Sequence, residues 1–317
     1  MDLYNLKNKK LSQINQKPFN LEKDIQSVVE QNTQELFNID FVTSEFSLGN
    51  FRIDSLCYDE ENKSFVIIEY KKGKSYSVID QGYSYLSLML NNKSDFILEY
   101  NENKKNSIKR GDVDWSSSKV IFISPSFNTY QKNSVNFQDV PFELWEIKKY
   151  SNNMIGLNQH ISSSKESIQK FDGNKNSVIK DVSTEIKVFS EGDHLKNTGK
   201  KINELYFTFK EIVLESLEVN FRPKKKHIGI WDNHKNMFSY VVIRKSFILV
   251  NILSGFIKNR KSPLFKLNDP DKKFILKDYD HKKLYSYKLT NSRHIDYILL
   301  MIKQKYDWDQ DRRNRRT

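Results

Sequence analysis

Apolar residues in the first 150 positions recur with helical and strand periods. An opening helix is predicted after Asn20, a candidate N-cap, by apolar residues at helical spacing: Leu21, Ile25, Val28, Val29 and Leu36. Two alternating runs joined by the turn sequence DEENK predict a β-hairpin, and a second helix should follow it. The predicted strands are 51–58, 65–71, 95–100, 119–124 and 142–150, and the second helix is 77–90. This order predicts an α/β domain over residues 1–150, in which helices pack on the faces of a mixed sheet.

The rest of the chain has a second set of apolar patterns. Residues 151–187 are rich in Ser, Asn, Lys and Gln, which predicts a linker. Two amphipathic helices are predicted beyond it, from Ile202, Leu205, Phe209 and Ile212 and from Ile295, Ile298, Leu299, Ile302 and Tyr306. Strands are predicted at 227–231, 238–243 and 247–253. We therefore expect an α+β domain at 188–308, followed by a flexible basic tail at 309–317.

The excess of positive charge lies in the second half of the chain. The whole sequence has 52 Lys and Arg and 40 Asp and Glu, a net charge of +12. Residues 1–187 hold 24 basic and 25 acidic residues, whereas residues 188–317 hold 28 and 15. A unit with this excess of positive charge is expected to bind a polyanion such as nucleic acid, although a lysine-rich surface that contacts only solvent would have the same composition. With Trp231 or nearby tyrosines available for stacking, the candidate phosphate contacts are Arg222, Lys224, Lys225, Lys226, Lys258, Arg260 and Lys261.

Several classes of protein are disfavoured by the composition. No run of about 20 apolar residues is present, since the best candidate, 238–257, contains Arg244 and Lys245. The N-terminal sequence has no apolar stretch typical of a secretory signal. Cys57 is the single cysteine, which excludes an internal disulfide and a cysteine-rich zinc site. A cytoplasmic protein that does not enter a membrane is therefore expected.

Acidic and basic side chains converge on the predicted hairpin. Residues alternate along a strand, so Glu69 and Lys71 share one face, and strand pairing can place Asp54 beside them. If the first helix crosses that face, Glu22 joins the group. Two like charges about 4 Å apart repel by roughly 4 kcal/mol at an effective dielectric constant of about 20. Three carboxylates around one ammonium therefore favour a bound divalent cation, Mg²⁺ or Mn²⁺, although alternating charges alone are common on solvated strands.

The order of the candidate residues along the chain forms a longer pattern. In chain order it comprises Glu22 in the opening helix, a Gly-x-x-x-x-Asp segment from Gly49 to Asp54, Glu69-Tyr70-Lys71, and Gln81-x-x-x-Tyr85. This set resembles the PD-(D/E)XK nuclease superfamily, in particular the QxxxY branch that includes RecB-type nucleases and the archaeal endonuclease NucS. Ile53 occupies the position of the proline in the superfamily's name, a common departure in this branch. The resemblance implies a restriction-endonuclease-like fold from residue 20 to residue 150.

The resemblance also implies a role for each motif residue. Glu22, Asp54 and Glu69 would hold the metal ion, together with the carbonyl of Tyr70. Lys71 would orient the attacking water and stabilise charge on the phosphate, and Gln81 and Tyr85 would position the nucleic-acid backbone or the lysine. Glu30, eight residues after Glu22 and on a similar face of the helix, is the alternative helical carboxylate.

The activity implied by the resemblance is Mg²⁺-dependent hydrolysis of phosphodiester bonds in DNA, leaving a 5′-phosphate and a 3′-hydroxyl. The second unit resembles an uncharacterised domain that often follows such nucleases, and we expect it to capture or select the substrate. A catalytically inactive nucleic-acid-binding module and an RNA-cleaving effector remain alternatives, because the chemistry at phosphorus is shared. Defence against foreign DNA and DNA repair are the expected settings, and the sequence leaves an oligomer or a protein partner open.

Overall fold

A computed structural model describes residues 2–72, 77–162, 164, 166–168, 177–233, 236–256, 264–279 and 282–315. The chain divides into two compact units, Met1–Val188 and Phe189–Thr317. Within the described ranges, no helix combines the length and the apolar content needed to cross a membrane.

The first unit is built on a mixed sheet. Its strands are β1 Leu3–Lys7, β2 Lys10–Ile14, β3 Gln16–Lys17, β4 Asp40–Leu48, β5 Phe51–Asp59, β6 Ser64–Tyr70, β7 Lys119–Ser124, β8 Phe142–Tyr150 and β9 Ile155–His160. The sheet order is β3-β8-β7-β6-β5-β4, and β9 also pairs with β8, whereas β1 and β2 form a separate hairpin. The pairs β6–β7 and β7–β8 are parallel and the other neighbours are antiparallel.

Helices cover both faces of this sheet. They are α1 Glu22–Glu30, α2 Thr33–Phe37, α3 Val78–Asn91, α4 Lys93–Lys104, α5 Thr129–Ser134 and α6 Ser177–Glu185, with short 3₁₀ turns at Arg110–Asp112 and Trp115–Ser117. Helix α1 packs Ile25 and Val29 on one face, against Cys57 and Ile68. Helices α3, α4 and α6 contribute to the core on the other face. The predicted α/β architecture, a mixed sheet flanked by helices, is confirmed.

Most of the elements predicted in the first unit form where the pattern places them. Strands β7 and β8 have the predicted bounds, β5 ends one residue later, and β6 and α3 are each shifted by one residue at both ends. The strand predicted at 95–100 is wrong, because this segment lies in α4. Phe96 and Tyr100, one helical turn apart, are buried, whereas the intervening Leu98 is 57 % exposed. The opening helix also ends earlier than predicted, at Glu30, and Leu36 lies in α2.

The segment predicted as a linker, 151–187, belongs to the fold of the first unit. It contains β9, which extends the sheet, and α6. Ile168, Ile179, Val182 and Ile186 are buried in the core that α3 also lines. Ile179, Val182 and Ile186 have helical spacing, but they are few, and the polar composition around them predicted a linker instead.

The second unit is an antiparallel sheet with two long helices. Its strands are β10 Val219–Pro223, β11 Ile228–Asp232, β12 Met237–Ile243, β13 Ile248–Phe256, β14 Ile275–Tyr279 and β15 Lys282–Leu289, in the order β10-β11-β12-β13-β15-β14. The helices are α7 Glu191–Leu195, α8 Lys200–Ser216 and α9 Ile295–Asn314, with a 3₁₀ turn at Ser292–His294. Helices α8 and α9 bury Tyr206, Phe209, Ile298 and Ile302 in one core with the strands. The α+β organisation is as predicted.

The C-terminal residues differ from their prediction as a flexible tail. Helix α9 continues through residue 309 to Asn314. Within this stretch Asp309 accepts a hydrogen bond from Lys305 at 2.7 Å, and Arg313 pairs with the fully buried side chain of Asp232. Lys305 lies one helical turn before Asp309, whereas Asp232 is distant from Arg313 in sequence, so the charged composition alone predicted a tail.

Helix α3 approaches the sheet closely at Gly82. A Cβ atom at this position would lie 2.6 Å from Cε1 and Cζ of the Phe142 ring, which is itself in the core. We expect Gly82→Ala to lower the free energy of unfolding by about 1–2 kcal/mol, because overpacking exceeds the gain in helix propensity. Gly111→Ala, where the new Cβ would meet nothing within 4 Å, is the control. Urea unfolding curves of the two variants test this, and a more stable Gly82→Ala protein would contradict it.

Candidate functional site

The site lies where β5 and β6 run side by side. Ser55 pairs with Ile68, so the next residues along the ladder, Asp54 and Glu69, project together from the opposite face. That face is the one against which α3 packs, because Leu56 and Ile67 belong to the core on the α3 side. Lys71 follows the end of β6, and its N–H extends the ladder by donating to the carbonyl of Ile123 at 2.9 Å.

Glu69 is the centre of the hydrogen-bond network. Its Oε1 accepts from Lys71 Nζ at 2.6 Å and from Gln81 Nε2 at 2.7 Å. Its Oε2 accepts from the Tyr85 hydroxyl at 2.9 Å. Glu69 is 3 % exposed and Lys71 is 8 % exposed, so this ion pair is largely removed from water. A buried pair of this kind is tolerated when further hydrogen bonds satisfy its polar atoms, as Gln81 and Tyr85 do here.

Helix α3 supplies Gln81 and Tyr85 from one face, because residues four apart lie one turn above each other. Ser77 caps the helix by accepting from the N–H of Asp80 at 3.3 Å, which fixes where the first turn begins. Gln81 Nε2 also donates to the Tyr85 hydroxyl at 3.0 Å, and that hydroxyl lies 3.2 Å from the carbonyl of Arg52. The two side chains therefore tie the helix to both strands of the hairpin.

Asp54 is held beside this network and is partly buried. Its Oδ2 accepts from the N–H of Tyr70 at 3.0 Å. Burial, and after it the negative charge of Glu69, raise the pKa of Asp54 from 3.8 to about 6. The N–H of Tyr70 and the charges of Lys71 and Arg52 act in the opposite direction but do not cancel the increase. Asp54 is thus close enough to Glu69 for the negative charge of Glu69 to disfavour ionisation of Asp54.

Glu22 does not reach the site in the way the sequence predicted. Helix α1 packs on the opposite face of the sheet, so the expectation that it crosses the face of Asp54 is wrong. Glu22 is exposed, and its Oε1 accepts from the N–H of Lys72 at 2.6 Å, just beyond the end of β6. The alternation of the strands could be read from the sequence, but the face on which α1 packs could not.

Glu30, the alternative carboxylate, also lies on the α1 side of the sheet. Its Oε1 accepts from Ser55 Oγ at 2.6 Å, from Ser44 Oγ at 2.8 Å and from Gln26 Nε2 at 2.9 Å. The Ser55 hydroxyl lies 3.0 Å from the Tyr70 hydroxyl. This set of hydrogen bonds joins α1 to β4, β5 and β6 and leaves Glu30 on the other side of the sheet from Glu69.

Two residues that the sequence analysis did not select lie next to Asp54. Gln26 of α1 donates to the carbonyl of Asp54 at 3.1 Å and so fixes the position of β5. Arg52, two residues before Asp54 on the same face, is exposed, and its charge acts on Asp54. Strand alternation alone places Arg52 beside Asp54, so this signal was present in the sequence.

The donor set fits a magnesium ion in part. Among the described residues, no group of three or more His, Cys, Asp and Glu side chains is arranged to hold a metal ion. Mg²⁺ in proteins, however, is commonly bound by one or two carboxylates and keeps several waters. Asp54 Oδ1 accepts no hydrogen bond from any described residue, and Glu69 Oε2 accepts only one. Two hard oxygen donors with spare lone pairs therefore remain at the site.

The basic residues selected in the second unit are only partly described. Arg222 lies with its guanidinium carbon 5.3 Å from the centre of the Trp231 ring, and Lys224 Nζ lies 5.9 Å from the same centre. Lys225 and Lys226 are exposed in the turn between β10 and β11. Lys258, Arg260 and Lys261 fall outside the described residues.

Comparison with known proteins gives one full-length relative. The sequence is 40 % identical to an uncharacterized protein of Haemophilus influenzae over 317 aligned residues, which cover 96 % of this chain and 99 % of the relative. No family model matches the chain, and no solved structure matches it.

Proposed function

The chain belongs to the same family as the uncharacterized Haemophilus influenzae protein, and we propose on the geometry of the site that its first unit is a Mg²⁺-dependent nuclease that hydrolyses phosphodiester bonds in DNA. One observation carries the proposal. Lys71, Gln81 and Tyr85 all bond to Glu69, and Asp54 lies beside it with a raised pKa. These are the residues for which the sequence resembles PD-(D/E)XK nucleases.

Asp54 and Glu69 would hold the ion, with the carbonyl of Tyr70 and water as further oxygen donors. A bound Mg²⁺ would lower the pKa of a water molecule and withdraw charge from the phosphate. The proposal leaves Glu22 outside this set, because its Oε1 is engaged by the backbone of Lys72. Mn²⁺ would serve in the same position, since it prefers the same oxygen ligands.

The protein's own groups would act on the substrate through position and charge. The Lys71 ammonium has three donors, and Glu69 takes one of them at 2.6 Å. In the proposed mechanism the ammonium donates to the attacking water or to a non-bridging phosphate oxygen. Gln81 and Tyr85 hold the carboxylate of Glu69 in one orientation, so that Lys71 is fixed as well. Preorganised donors of this kind lower the barrier because they need not reorient during reaction.

Cleavage assays with purified protein test the proposal. Single-stranded DNA, duplex DNA and RNA of one sequence are incubated with Mg²⁺, with Mn²⁺ or with EDTA. We expect DNA to be cleaved with either cation, no cleavage with EDTA, and products that carry a 5′-phosphate. Cleavage of RNA alone would favour an RNA-cleaving effector with the same site, and binding without cleavage under every condition would favour an inactive nucleic-acid-binding module.

The proposal places the enzyme in the cytoplasm, in defence against foreign DNA or in repair. It also gives the second unit the task of engaging DNA, since the net charge of residues 188–317 comes from 28 basic and 15 acidic residues. Removing Lys or Arg contacts to phosphate should weaken binding and reduce its dependence on salt.

A further inference from the structure

A two-stranded ribbon of the first unit is not part of its main sheet. It consists of β1, β2 and the turn between them, and we refer to residues 3–14 as the N-terminal ribbon. Every residue from 4 to 13 is exposed, whereas Leu3 and Ile14, which pair at the base of the ribbon, are half-buried. A two-stranded hairpin without a third strand or a core beneath it is marginally stable in water. A ribbon of this kind therefore gains stability when it binds a partner.

The charge of the ribbon is of one sign. Residues 3–17 contain no Asp or Glu but four lysines, namely Lys7, Lys9, Lys10 and Lys17. This local charge lies in a nearly neutral part of the chain, since residues 1–187 hold 24 basic and 25 acidic residues. Lys7 pairs directly with Lys10 across the two strands, and like charges in such a pair destabilise a hairpin until an anion compensates them. Charge complementarity therefore indicates a polyanion as the partner.

The lysines are concentrated at the tip of the ribbon. Asn8 and Lys9 form the two-residue turn, with φ of +49° and +64°. Positive φ at both positions is typical of a type I′ turn, whose second position favours glycine. Here that position carries a lysine, and the turn is flanked by Lys7 and Lys10. The ribbon thus ends in three exposed lysines.

The base of the ribbon is tied to the candidate functional site. Lys17 of β3 pairs with Lys149 near the carboxyl end of β8. Since β6, β7 and β8 are parallel, this end of β8 lies at the same edge of the sheet as the end of β6, which Lys71 follows. Three residues after Lys17, the carbonyl of Asn20 accepts a hydrogen bond from Lys72 Nζ. Three residues span at most about 11 Å, so a nucleic acid held by the ribbon lies within reach of the site.

We propose that the N-terminal ribbon enters the major groove of duplex DNA, where Lys7, Lys9 and Lys10 contact the phosphates on either side of the groove. The choice of DNA rests on the proposed function, and the choice of a duplex rests on shape. The major groove of B-DNA is about 12 Å wide and about 8.5 Å deep and admits a two-stranded ribbon. Strands of five residues about 4.8 Å apart are narrow enough to enter it, and at roughly 17 Å they are longer than it is deep. The major groove of duplex RNA is too narrow to be read in this way.

The side chains behind the tip match the edges of base pairs. Leu6 and Leu11 pair on one face of the ribbon and are 68 % and 67 % exposed, and Asn5 and Ser12 pair on the other face. In the major groove, apolar side chains contact the methyl group of thymine, and Asn and Ser bond to the polar edges of bases. Duplex DNA therefore accounts for the exposed leucines as well as for the lysines.

Fluorescence anisotropy of the full chain in EDTA, in which metal-dependent cleavage is prevented, tests the inference. The probes are a labelled DNA duplex of about two helical turns, one of its strands alone, and the RNA duplex of the same sequence. We expect the DNA duplex to bind most tightly. Lys7→Gln, Lys9→Gly and Lys10→Gln together should weaken its binding about tenfold or more and reduce the magnitude of the slope of log affinity against log salt by about 2.7, which is about 0.9 for each phosphate contact. Tighter binding of the single strand or of the RNA duplex would overturn the inference.

A matched control removes three lysines elsewhere in the first unit. Lys104, Lys105 and Lys109 are exposed, and Lys105 has φ of +49°, so Lys104→Gln, Lys105→Gly and Lys109→Gln repeat the same changes. This variant should bind the DNA duplex like the original protein, and equal weakening by both triple variants would overturn the inference. Because glycine is favoured at the turn position of Lys9, the loss of affinity cannot come from a distorted ribbon.

A modified duplex tests the groove itself. Bulky groups at C5 of the pyrimidines project into the major groove, where the methyl group of thymine lies. The original protein should bind such a duplex about tenfold more weakly than the unmodified one, whereas the ribbon variant should bind both about equally. Equal affinity of the original protein for the two duplexes would overturn the placement of the ribbon in the major groove.

Failure of this inference can be distinguished from failure of the nuclease proposal, because binding is measured without a metal ion. Lys71→Ala keeps the ribbon intact and should bind the DNA duplex like the original protein. If the chain binds duplex DNA through the ribbon but cleaves no polymer with any cation, this inference is supported and the nuclease proposal is overturned. If DNA is cleaved but the ribbon variant binds and cleaves it like the original protein, the nuclease proposal is supported and this inference is overturned.

Discussion

Replacing Lys71 by alanine is expected to lower the rate of DNA cleavage by about 10²- to 10³-fold at saturating Mg²⁺. The Lys71 ammonium is 2.6 Å from Glu69 and 8 % exposed, so it acts in surroundings where a charge is little screened by water. In the proposed mechanism it stabilises the negative charge that develops on the phosphate. The other described residues that donate a hydrogen bond to Glu69 carry no positive charge. Initial rates on a labelled DNA substrate, with the affinity for the same DNA measured in EDTA, would show whether the loss lies in catalysis.

Two further variants separate chemistry from folding. Removing one member of a buried ion pair costs about 3–5 kcal/mol when the other is left unpaired, but Gln81 and Tyr85 remain bonded to Glu69. Lys71→Met keeps the apolar stem of the side chain and should be as inactive as Lys71→Ala while retaining more of its packing. Lys149→Ala, an exposed lysine on β8, should cleave normally. Cleavage by a folded Lys71→Met protein at the original rate would remove Lys71 from the mechanism.

The elements that position the site could be predicted because they depend on short-range patterns. Alternation fixes which residues of β5 and β6 share a face, and a four-residue spacing fixes Gln81 and Tyr85 on one side of α3. The turn sequence between the strands sets the hairpin, so Asp54 and Glu69 meet without any long-range information. These predictions required only the local period of each segment.

The position of α1 could not be predicted, because it depends on contacts between distant segments. Ile25 and Val29 pack on Cys57 and Ile68, and Gln26 reaches the carbonyl of Asp54. A helix with one apolar stripe can pack on either face of a sheet, and its sequence does not specify which. The same limit applies to α6, where Ile179 and Val182 complete the core beside α3 but lie about a hundred residues after it in sequence.

The second large effect is expected from a substitution of Asp54, which should abolish activity but increase the stability of the fold. Asp54→Asn removes one of the two carboxylates proposed to hold Mg²⁺ and should abolish cleavage. In metal-free buffer at pH 8, however, the variant should be more stable than the original protein by up to about 3 kcal/mol. Asparagine keeps a side-chain oxygen to accept from the N–H of Tyr70 but brings no charge beside Glu69.

The pH dependence of this difference follows from the raised pKa of Asp54, about 6 in the folded protein against an ordinary value of 3.8. Between these values the folded state binds more protons than the unfolded state, so the contribution of Asp54 to stability falls as the pH rises. Below about pH 4 both states are protonated, and the two proteins should be equally stable. Above about pH 6 the ionised carboxylate is disfavoured by burial and by Glu69, and the difference should reach its full size.

Urea unfolding of both proteins at pH values from 4 to 8, in EDTA and then in Mg²⁺, measures this difference directly. A cation that binds the folded state stabilises it, so Mg²⁺ should stabilise the original protein at pH 8 more than Asp54→Asn and narrow the gap between them. A variant that is less stable than the original protein throughout this range would contradict the electrostatic account of Asp54. The stability difference between the two proteins could also grow with pH in EDTA and remain unchanged in Mg²⁺. In that case Asp54 and Glu69 repel each other as described but do not share an ion, and the proposed mechanism would have to omit the metal.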